Sequence, residues 1–329
     1  MMLFVILLQL GMTLLGPPVA TVMTPQQGET KADEERKWNN DIKQLTKDIE
    51  RNPNDGKAYE LRGTARFFLG SYEDAIKDFD EAIRLNPNDA KPYYLRAGTW
   101  LEKKEEAKAL SDYDEALRLN PKYIRAYLER SRLYSDKKDF KSAMADLQKA
   151  EEYGGKKESI YLERGKLWRR MGNLDKAIND FSLSLKLEPD NRYALLNRGY
   201  AHLDMEQFQD AINDASKAIK LSPKDELARE SALRLRSNAC IKSNLHDQAV
   251  VDLTELIKLN PKDAGSFILR ACAYVKLKKN ELAIADYSES IRLDPNEEGN
   301  FMSRGLLYSR IKKHDLATLD FQKVCEMES

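Results

Sequence analysis

Apolar residues recur along this chain at intervals of three and four positions, which is the spacing of one face of an α-helix. Near the amino end, Trp38, Ile42, Leu45 and Ile49 are separated by four, three and four positions. Polar and charged residues dominate the intervening positions, and Pro53 follows soon after. Because proline cannot continue a helix, this pattern predicts an amphipathic helix that ends just before it.

Further along, the pattern repeats with a period of 34 residues, which is typical of arrays of small helical units. If each recurring proline is taken as position 32 of a unit, position 20 is alanine in all eight units. Gly155 stands where one proline is missing, and one interval is 38 residues long. The prolines are Pro87, Pro121, Pro189, Pro223, Pro261 and Pro295. The units are 56–89, 90–123, 124–157, 158–191, 192–225, 230–263, 264–297 and 298–329.

Each unit carries two apolar faces. Position 4 is aromatic or leucine, position 8 is glycine, alanine or serine, and position 24 is apolar, as Tyr59, Gly63 and Phe79 show in the first unit. Positions 4, 8 and 11 share one face of a first helix, and positions 20, 24 and 27 share one face of a second. The small residue at position 8 allows close approach, so each unit is predicted to be a packed helix pair.

These residues resemble the tetratricopeptide repeat family, and the resemblance covers residues 56–329. In the first unit it is carried by Tyr59, Gly63, Leu69, Gly70, Tyr72, Ala75, Phe79 and Pro87. The resemblance implies an all-α fold, a right-handed superhelical solenoid of antiparallel helix pairs. It also implies that the first helices line a concave groove, which in this family holds a peptide or an extended segment of another protein.

The array has three irregular places. Residues 33–55 form half a unit, which we expect to be a capping helix that covers the apolar side of the first full pair. Four extra residues around Lys224 to Arg229 add about one helical turn, so they are expected to lengthen the first helix of the sixth unit and to kink the array locally. The eighth unit finishes at Ser329 without a further helix, which leaves its last face uncovered.

Position 7 is arginine and position 23 is aspartate in all eight units. A basic stripe could bind phosphates, but a stripe used in that way would not be matched one for one by carboxylates. Since a partly buried arginine needs a carboxylate partner, we interpret both sets as an Arg–Asp ladder within the scaffold. The arginines are Arg62, Arg96, Arg130, Arg164, Arg198, Arg236, Arg270 and Arg304. The aspartates are Asp78, Asp112, Asp146, Asp180, Asp214, Asp252, Asp286 and Asp320.

Candidate binding residues are therefore the non-recurrent ones. The family geometry places positions 2, 5, 9, 12 and 13 on the concave face, and in units three to five these positions are basic, aromatic or leucine. Such a groove suits a peptide with acidic side chains or a free carboxylate, although the same cations are also ordinary for solvated helices. Asp136 and Asp204 weaken the positive field. The predicted groove residues are Arg125, Leu128, Arg132, Leu162, Lys166, Arg169, Arg170, Tyr193, Leu196 and Tyr200.

Composition argues against several other functions. Lys plus Arg equals Asp plus Glu at 54 each, so no overall positive field favours nucleic acid. The three histidines occupy packing or surface slots, and no phosphate loop, nucleophile elbow or paired metal ligands appears. We therefore expect no catalytic residue, metal, cofactor or small-molecule substrate. Cys240, Cys272 and Cys325 lack metal spacing and are expected to be packed free thiols, with a Cys240–Cys272 bridge as a less favoured alternative.

The amino-terminal segment precedes the repeats and has a different composition. Residues Leu3 to Leu15 are largely apolar, two prolines follow, and the first charged residue is Glu29. We interpret 1–23 as a signal peptide or a membrane anchor and 24–32 as a flexible linker. A cleaved signal, an uncleaved anchor and a misassigned start all remain open. The expected location is exported: periplasmic, secreted, or anchored and facing outside the cytoplasm, with membrane contact only if the segment is uncleaved.

The sequence therefore predicts a non-enzymatic protein–protein interaction scaffold that holds a peptide or an extended protein segment in its concave groove. The alternative is a structural assembly subunit that self-associates through the uncovered carboxy-terminal repeat. An accessory subunit of a separate enzyme is a third interpretation.

Overall fold

A computed structural model describes residues 31–223 and 225–327, which form seventeen α-helices and no strands. The predicted signal peptide (1–23) and most of the predicted linker lie outside these residues, as do Lys224 and residues 328–329. The helices separate into two compact units, one ending at Lys156 and the other beginning at Lys157. No helix within the described ranges is long and apolar enough to span a membrane.

The first unit contains seven helices joined by short turns. A single helix, α1 (Lys31–Arg51), is followed by three antiparallel pairs. The pairs are α2 (Gly56–Phe68) with α3 (Tyr72–Leu85), α4 (Ala90–Glu102) with α5 (Glu106–Leu119), and α6 (Ile124–Asp136) with α7 (Phe140–Glu152).

The second unit contains ten helices in five pairs. They are α8 (Lys157–Arg170) with α9 (Leu174–Leu187), α10 (Arg192–Asp204) with α11 (Phe208–Leu221), α12 (Glu226–Lys242) with α13 (His246–Leu259), α14 (Ala264–Lys276) with α15 (Asn280–Leu293), and α16 (Glu298–Arg310) with α17 (His314–Met327). The predicted all-α fold of paired helices is therefore observed.

Polar caps and left-handed residues set the helix ends. The Asp55 carboxylate accepts from the backbone N–H groups of Lys57 and Ala58, which satisfies two free donors at the start of α2. Where α2 ends, Gly70 adopts φ 75°, and the equivalent residue after α6 is Lys138 with φ 61°. Glycine adopts this conformation without strain, whereas lysine does so at a cost in free energy. The left-handed turn is nevertheless present in both repeats.

The core of each pair is built on the small positions found in the sequence. The alanine at position 20 is fully buried in seven pairs, and Ala317 in the eighth is 4 % exposed. A β-carbon at Gly165 would lie 2.6 Å from the Phe181 ring, and one at Gly63 would lie 2.8 Å from the Phe79 ring. The glycines are therefore required by the close approach of the two helices.

Two irregular places of the array involve described residues. The α1 helix packs against α2, with the Trp38 ring stacked 4.8 Å from that of Phe68, so α1 covers the first full pair. The first helix of the sixth unit, α12, has 17 residues, whereas the corresponding α14 has 13. The extra turn therefore lengthens this helix, as predicted.

The three cysteines are free thiols in different surroundings. Cys240 is buried, Cys272 is half-buried with its Sγ 3.4 Å from the Tyr287 hydroxyl, and Cys325 is exposed. The expectation that all three are packed is therefore wrong for Cys325. Burial raises the pKa of the Cys240 thiol to about 11, which makes it unreactive at neutral pH.

Candidate functional site

The recurrent arginines and aspartates face each other within every helix pair. In the pair α8–α9, Arg164 Nε lies 2.7 Å from one oxygen of Asp180, and Arg164 Nη2 lies 2.8 Å from the other. The remaining seven pairs are joined by an equivalent ion pair of 2.6–2.8 Å. The predicted Arg–Asp ladder is confirmed, and these arginines are scaffold rather than a stripe of free cations.

The same guanidinium groups also reach the preceding helix pair. Arg96 Nη1 donates to Asp80 Oδ1 at 2.5 Å, and Arg236 Nη1 donates to Ser216 Oγ at 3.0 Å. Equivalent contacts are made by Arg62, Arg130, Arg198, Arg270 and Arg304. Each of these arginines therefore joins three helices: its own, its partner in the pair, and the second helix of the preceding element. The sequence alone did not indicate this third contact.

Aromatic side chains complete the surroundings of most ladder arginines. The Arg164 guanidinium lies 5.3 Å from the Tyr161 ring centroid, and the corresponding distance from Arg96 to Tyr93 is 5.6 Å. Burial disfavours the charge of Arg96, but the carboxylates of Asp112 and Asp80 outweigh it and raise the pKa of Arg96 above its ordinary value. The ladder is therefore charged and fully bonded, which leaves recognition to other residues.

In the first unit, helix α6 carries three predicted groove residues. Arg125 is exposed, Leu128 is half-buried, and Arg132 Nη1 donates to Glu129 Oε1 at 2.7 Å. Glu129 is 9 % exposed, so this ion pair lies partly below the surface. Of these three, Arg125 offers the most accessible cation to a partner.

Two tyrosines of the same unit lie close together near α6. The rings of Tyr94 and Tyr123 are 4.9 Å apart, and burial raises the pKa of Tyr123 to about 12. Both aromatic rings are therefore neutral at physiological pH. Tyr94 is 3 % exposed and belongs to the core, so only the half-buried Tyr123 lies near the surface beside α6.

In the second unit, α8 and α10 carry the other seven predicted residues. Leu162 and Leu196 belong to the hydrophobic core and are 9 % and 6 % exposed. Tyr193 is 39 % exposed and Tyr200 is half-buried. Arg170, at the end of α8, is exposed. The leucines therefore support the surface from below more than they form it.

The basic residues of α8 are held by carboxylates. Lys166 Nζ lies 3.0 Å from Glu163 Oε1, and Arg169 Nε lies 2.9 Å from Asp204 Oδ2 while its guanidinium stacks 5.4 Å from the Tyr200 ring. The expectation that Asp204 weakens the positive field is therefore met. Glu163 was missed by the sequence reasoning, although its spacing of three residues from Lys166 is the usual one for a helical ion pair.

A recess on the first unit lies on the ladder side of α4 and α5 rather than at the predicted groove residues. It is lined by Tyr93, Arg96, Asp112, Glu115 and Arg118 among others. Arg96 is paired with Asp112, and Arg118 is paired with Glu115 at 2.7 Å. Its charged groups already satisfy each other, so this recess is a poorer ligand site than the first-helix face.

The histidines have structural surroundings. His202 Nδ1 lies 2.6 Å from the Gln207 side-chain oxygen, His246 is half-buried at the start of α13, and His314 is exposed at the start of α17. Within the described residues, no three His, Cys, Asp or Glu side chains gather as metal ligands.

Solved structures with the same helix-pair arrangement are similar to this chain over much of its length. Yeast Tom70 has a TM-score of 0.60 and 17 % identity, with 89 % of this chain and 62 % of that chain covered. A tetratricopeptide repeat protein from Parabacteroides merdae has a TM-score of 0.52 and 20 % identity, with 73 % and 93 % covered. MamA from Desulfovibrio magneticus has a TM-score of 0.50 and 24 % identity, with 53 % and 96 % covered. These likenesses concern the fold.

Sequence comparison agrees with the structural comparison. No curated protein sequence matches the chain. Three family profiles described as tetratricopeptide repeat match it, one over residues 60–124, one over 192–225, and one over 124–153, 158–191 and 264–297. Together with the eight ion-paired helix pairs, these matches show that the chain belongs to the tetratricopeptide repeat family.

Proposed function

We propose that this tetratricopeptide repeat protein, an interaction scaffold by family, is non-enzymatic and holds a peptide or an extended protein segment on the face formed by its first helices. The observation that carries the proposal is the ladder, because it uses the recurrent charges for the scaffold. The residues that vary from pair to pair on the first helices are then left for recognition.

Each compact unit offers its own contacts to a protein partner, polar in the first unit and aromatic in the second. Arg125 on α6 is exposed, and Tyr193 on α10 exposes a large part of its ring. Arg132, Lys166 and Arg169 can reach a partner carboxylate only in competition with Glu129, Glu163 and Asp204. We therefore expect an acidic group on the partner to bind chiefly at Arg125, and a preference for acidic peptides weaker than the count of basic residues suggests.

Protein is favoured over nucleic acid as the partner. The chain has equal numbers of acidic and basic residues, and its ladder arginines are bonded to aspartates. Nucleic-acid affinity depends on cations that are free to replace counterions around phosphates. A ladder of internally neutralised arginines does not supply them.

The test selects peptides from a random display library with the full-length chain and measures their dissociation constants. We expect Arg125→Glu to weaken at least tenfold the peptides that bind the first unit, and Tyr193→Ala to do the same for the peptides that bind the second. The matched controls, Lys141→Glu and Lys186→Glu, change exposed lysines on second helices and should have little effect. Equal loss in the controls, or no loss at Arg125 and Tyr193, would overturn the assignment of this face.

Self-association through the last helix pair receives less support. Position 21 of the repeat, which lies on the second helix, is Ile, Leu, Met or Val in seven pairs. In the eighth pair it is Thr318 on α17, which is exposed. The threonine makes this one position of α17 more polar than its equivalents, although Leu316 and Leu319 are exposed on the same helix. The test measures the mass of the protein in solution. If the mass rises with protein concentration and Thr318→Lys restores the monomer mass, assembly is favoured over groove binding.

Export is a separate part of the proposal and is supported by the apolar stretch from Leu3 to Leu15. Cell fractionation with amino-terminal sequencing of the mature protein tests it. Recovery of an intact amino terminus in the cytoplasmic fraction would contradict export.

A further inference from the structure

The outer surface of the second helices changes in the last two pairs. Leu282 on α15 is 49 % exposed, and Leu316 and Leu319 on α17 are 42 % and 61 % exposed. The residues equivalent to Leu282 and Leu316 in the six earlier pairs are polar or charged: Asp74, Lys108, Ser142, Lys176, Asp210 and Gln248. Leucine at these two sites leaves nearly half of its surface in solvent.

Basic residues border these leucines at the turns that join each pair. Lys276 ends α14, Lys278 and Lys279 lie between α14 and α15, and all three are exposed. In the same way Arg310 ends α16, Lys312 and Lys313 lie between α16 and α17, and these three are also exposed. The two turns and the helix ends beside them therefore present six cations, against the three exposed carboxylates of Asp247, Glu281 and Asp315.

Most of these lysines differ from the cations of the groove because no carboxylate neutralises them. Among the described residues, Lys276, Lys278, Lys312 and Lys313 form no ion pair. Lys279 is the exception and lies 3.6 Å from Asp247, which is itself 80 % exposed. An unpaired surface cation keeps its full field for an external anionic partner.

The cations and the leucines belong to one continuous surface. Lys279 precedes Leu282 by three residues and Lys313 precedes Leu316 by three, so each lysine lies one turn from a leucine on the same side of its helix. The Arg310 guanidinium donates to Asn280 Oδ1 at 3.2 Å, which places the end of α16 beside the start of α15. We call these residues the terminal basic surface: Lys276, Lys278, Lys279, Leu282, Arg310, Lys312, Lys313, Leu316 and Leu319.

We propose that the terminal basic surface binds peripherally to a lipid bilayer that contains anionic phospholipids. Lysine ammonium groups near such a surface are attracted to its negative potential, and their long apolar stems lie along the acyl boundary. Exposed leucines beside them insert into the same boundary, as in other interfacial helices. This function is independent of the groove, since it uses different residues.

A second copy of the chain fits this surface poorly. In a twofold dimer the same patch meets itself, so six cations would face six cations across the contact. An anionic bilayer satisfies all of them at once, without a matching shape. Charge therefore favours the membrane as the occupant.

The first unit supplies an internal control. Lys137 and Lys138 occupy the turn between α6 and α7, but Lys137 lies 3.3 Å from Glu106, and Ser142 stands where α15 has Leu282. The turn is basic without exposed leucine. It should contribute little to binding at a bilayer.

The experiment measures co-sedimentation of the full-length chain with lipid vesicles in about 0.1 M salt. One set of vesicles contains phosphatidylcholine alone, and the other contains phosphatidylcholine with 30 mol % phosphatidylglycerol. We expect stronger binding to the anionic vesicles. Since each basic residue near the surface contributes roughly fivefold, Lys312→Gln/Lys313→Gln should weaken partitioning by about 25-fold. Leu282→Ser/Leu316→Ser should also weaken it. The controls Lys137→Gln/Lys138→Gln and Leu187→Ser, an exposed leucine elsewhere, should leave it unchanged.

Three results would overturn the proposal. Equal partitioning of the Lys312/Lys313 variant and the wild type would remove the assigned surface. Unchanged binding after loss of both leucines, together with full competition by soluble polyglutamate, would indicate an acidic protein partner instead of a bilayer. Equal binding to neutral and anionic vesicles would show that the lysines do not direct the contact. Circular dichroism of each variant verifies that the fold is kept.

Discussion

Arg96 and Arg130 of the first unit use the ladder arginine position differently from Arg198 and Arg236 of the second. Arg96 and Arg130 each bind two carboxylates, the second being Asp80 or Asp114 of the preceding pair, at 2.5 Å. Arg62, which follows the single helix α1, instead has the Thr46 hydroxyl as its second partner. In the second unit, Arg198 and Arg236 bind one carboxylate and a serine hydroxyl at 3.0 Å. The same contact geometry thus brings two carboxylates to the guanidinium group in one case and a single carboxylate in the other.

The difference shows which group neutralises the guanidinium charge. In the second unit the ladder aspartate is the principal neutralising group, and Asp252 is completely buried beside Arg236. In the first unit Asp80 shares this role for Arg96, but its side chain is 51 % exposed, so its field is partly screened by water. Loss of the ladder aspartate should therefore cost more in the second unit than in the first.

The largest expected effect is that of Asp252→Ala compared with Asp112→Ala. Removal of Asp252 leaves Arg236 charged and without its buried partner, which costs about 3–5 kcal/mol of unfolding free energy. Asp112→Ala should cost roughly half as much, because Asp80 still neutralises Arg96. Urea unfolding and local amide hydrogen exchange measure both. Equal losses would show that the second carboxylate has no role, and Arg236→Met/Asp252→Leu is the control that removes the stranded charge.

A smaller effect is expected where the helices approach most closely. Gly165→Ala places a β-carbon 2.6 Å from Phe181, so the ring must move, at a cost of about 1–3 kcal/mol that outweighs the higher helix propensity of alanine. The first unit already has Ala97 at this position, opposite Tyr113. Gly299→Ala, with only the flexible Glu297 side chain nearby, is the control and should not destabilise the protein in thermal unfolding.

The second carboxylate that Arg96 binds in the first unit can also be introduced into the second unit. Ser216→Asp gives Arg236 the second carboxylate that Arg96 has in the first unit. Introduced into Asp252→Ala, it should recover about 1–2 kcal/mol, which is the range of a hydrogen bond to a charged group. The same Ser216→Asp in the wild-type background should change stability by less, since Asp252 already neutralises Arg236. Identical effects in both backgrounds, measured by urea unfolding, would exclude coupling.

The smallest expected effect concerns residues with a left-handed backbone conformation. Their replacement by glycine should change stability equally in the two units. Lys138 in the first unit and Glu206 in the second adopt φ 61° and 59° at the end of a first helix. Lys138→Gly and Glu206→Gly should each stabilise by about 0.5–1 kcal/mol, because glycine relieves the left-handed strain. Gly172→Ala, at φ 77°, should destabilise by a similar amount. A gain in one unit only would show that side-chain contacts dominate these turns.

The repeat pattern predicted most of the fold because it records local requirements. Alanine at position 20 and a small residue at position 8 appear as buried contacts in every pair, and the extra turn before α12 lengthens that helix. The equal numbers of Arg and Asp predicted the ladder. Prediction was weaker for the candidate site, because helix periodicity indicates which residues share a face but not how deeply each is buried. Leu162 and Leu196 were therefore placed on the surface although they lie largely in the core.

The sequence by itself determined the family, the helix pairs and the partner of each ladder arginine within its pair, since these depend on spacings along a single unit. Only the tertiary structure decided which cations are free. Arg169 on α8 is paired with Asp204 on α10, whereas Lys276, Lys278, Lys312 and Lys313 have no such partner, within the ranges that the structure describes. The physical reason is that an ion pair needs two groups within about 4 Å, and helices distant in sequence supply or withhold that second group.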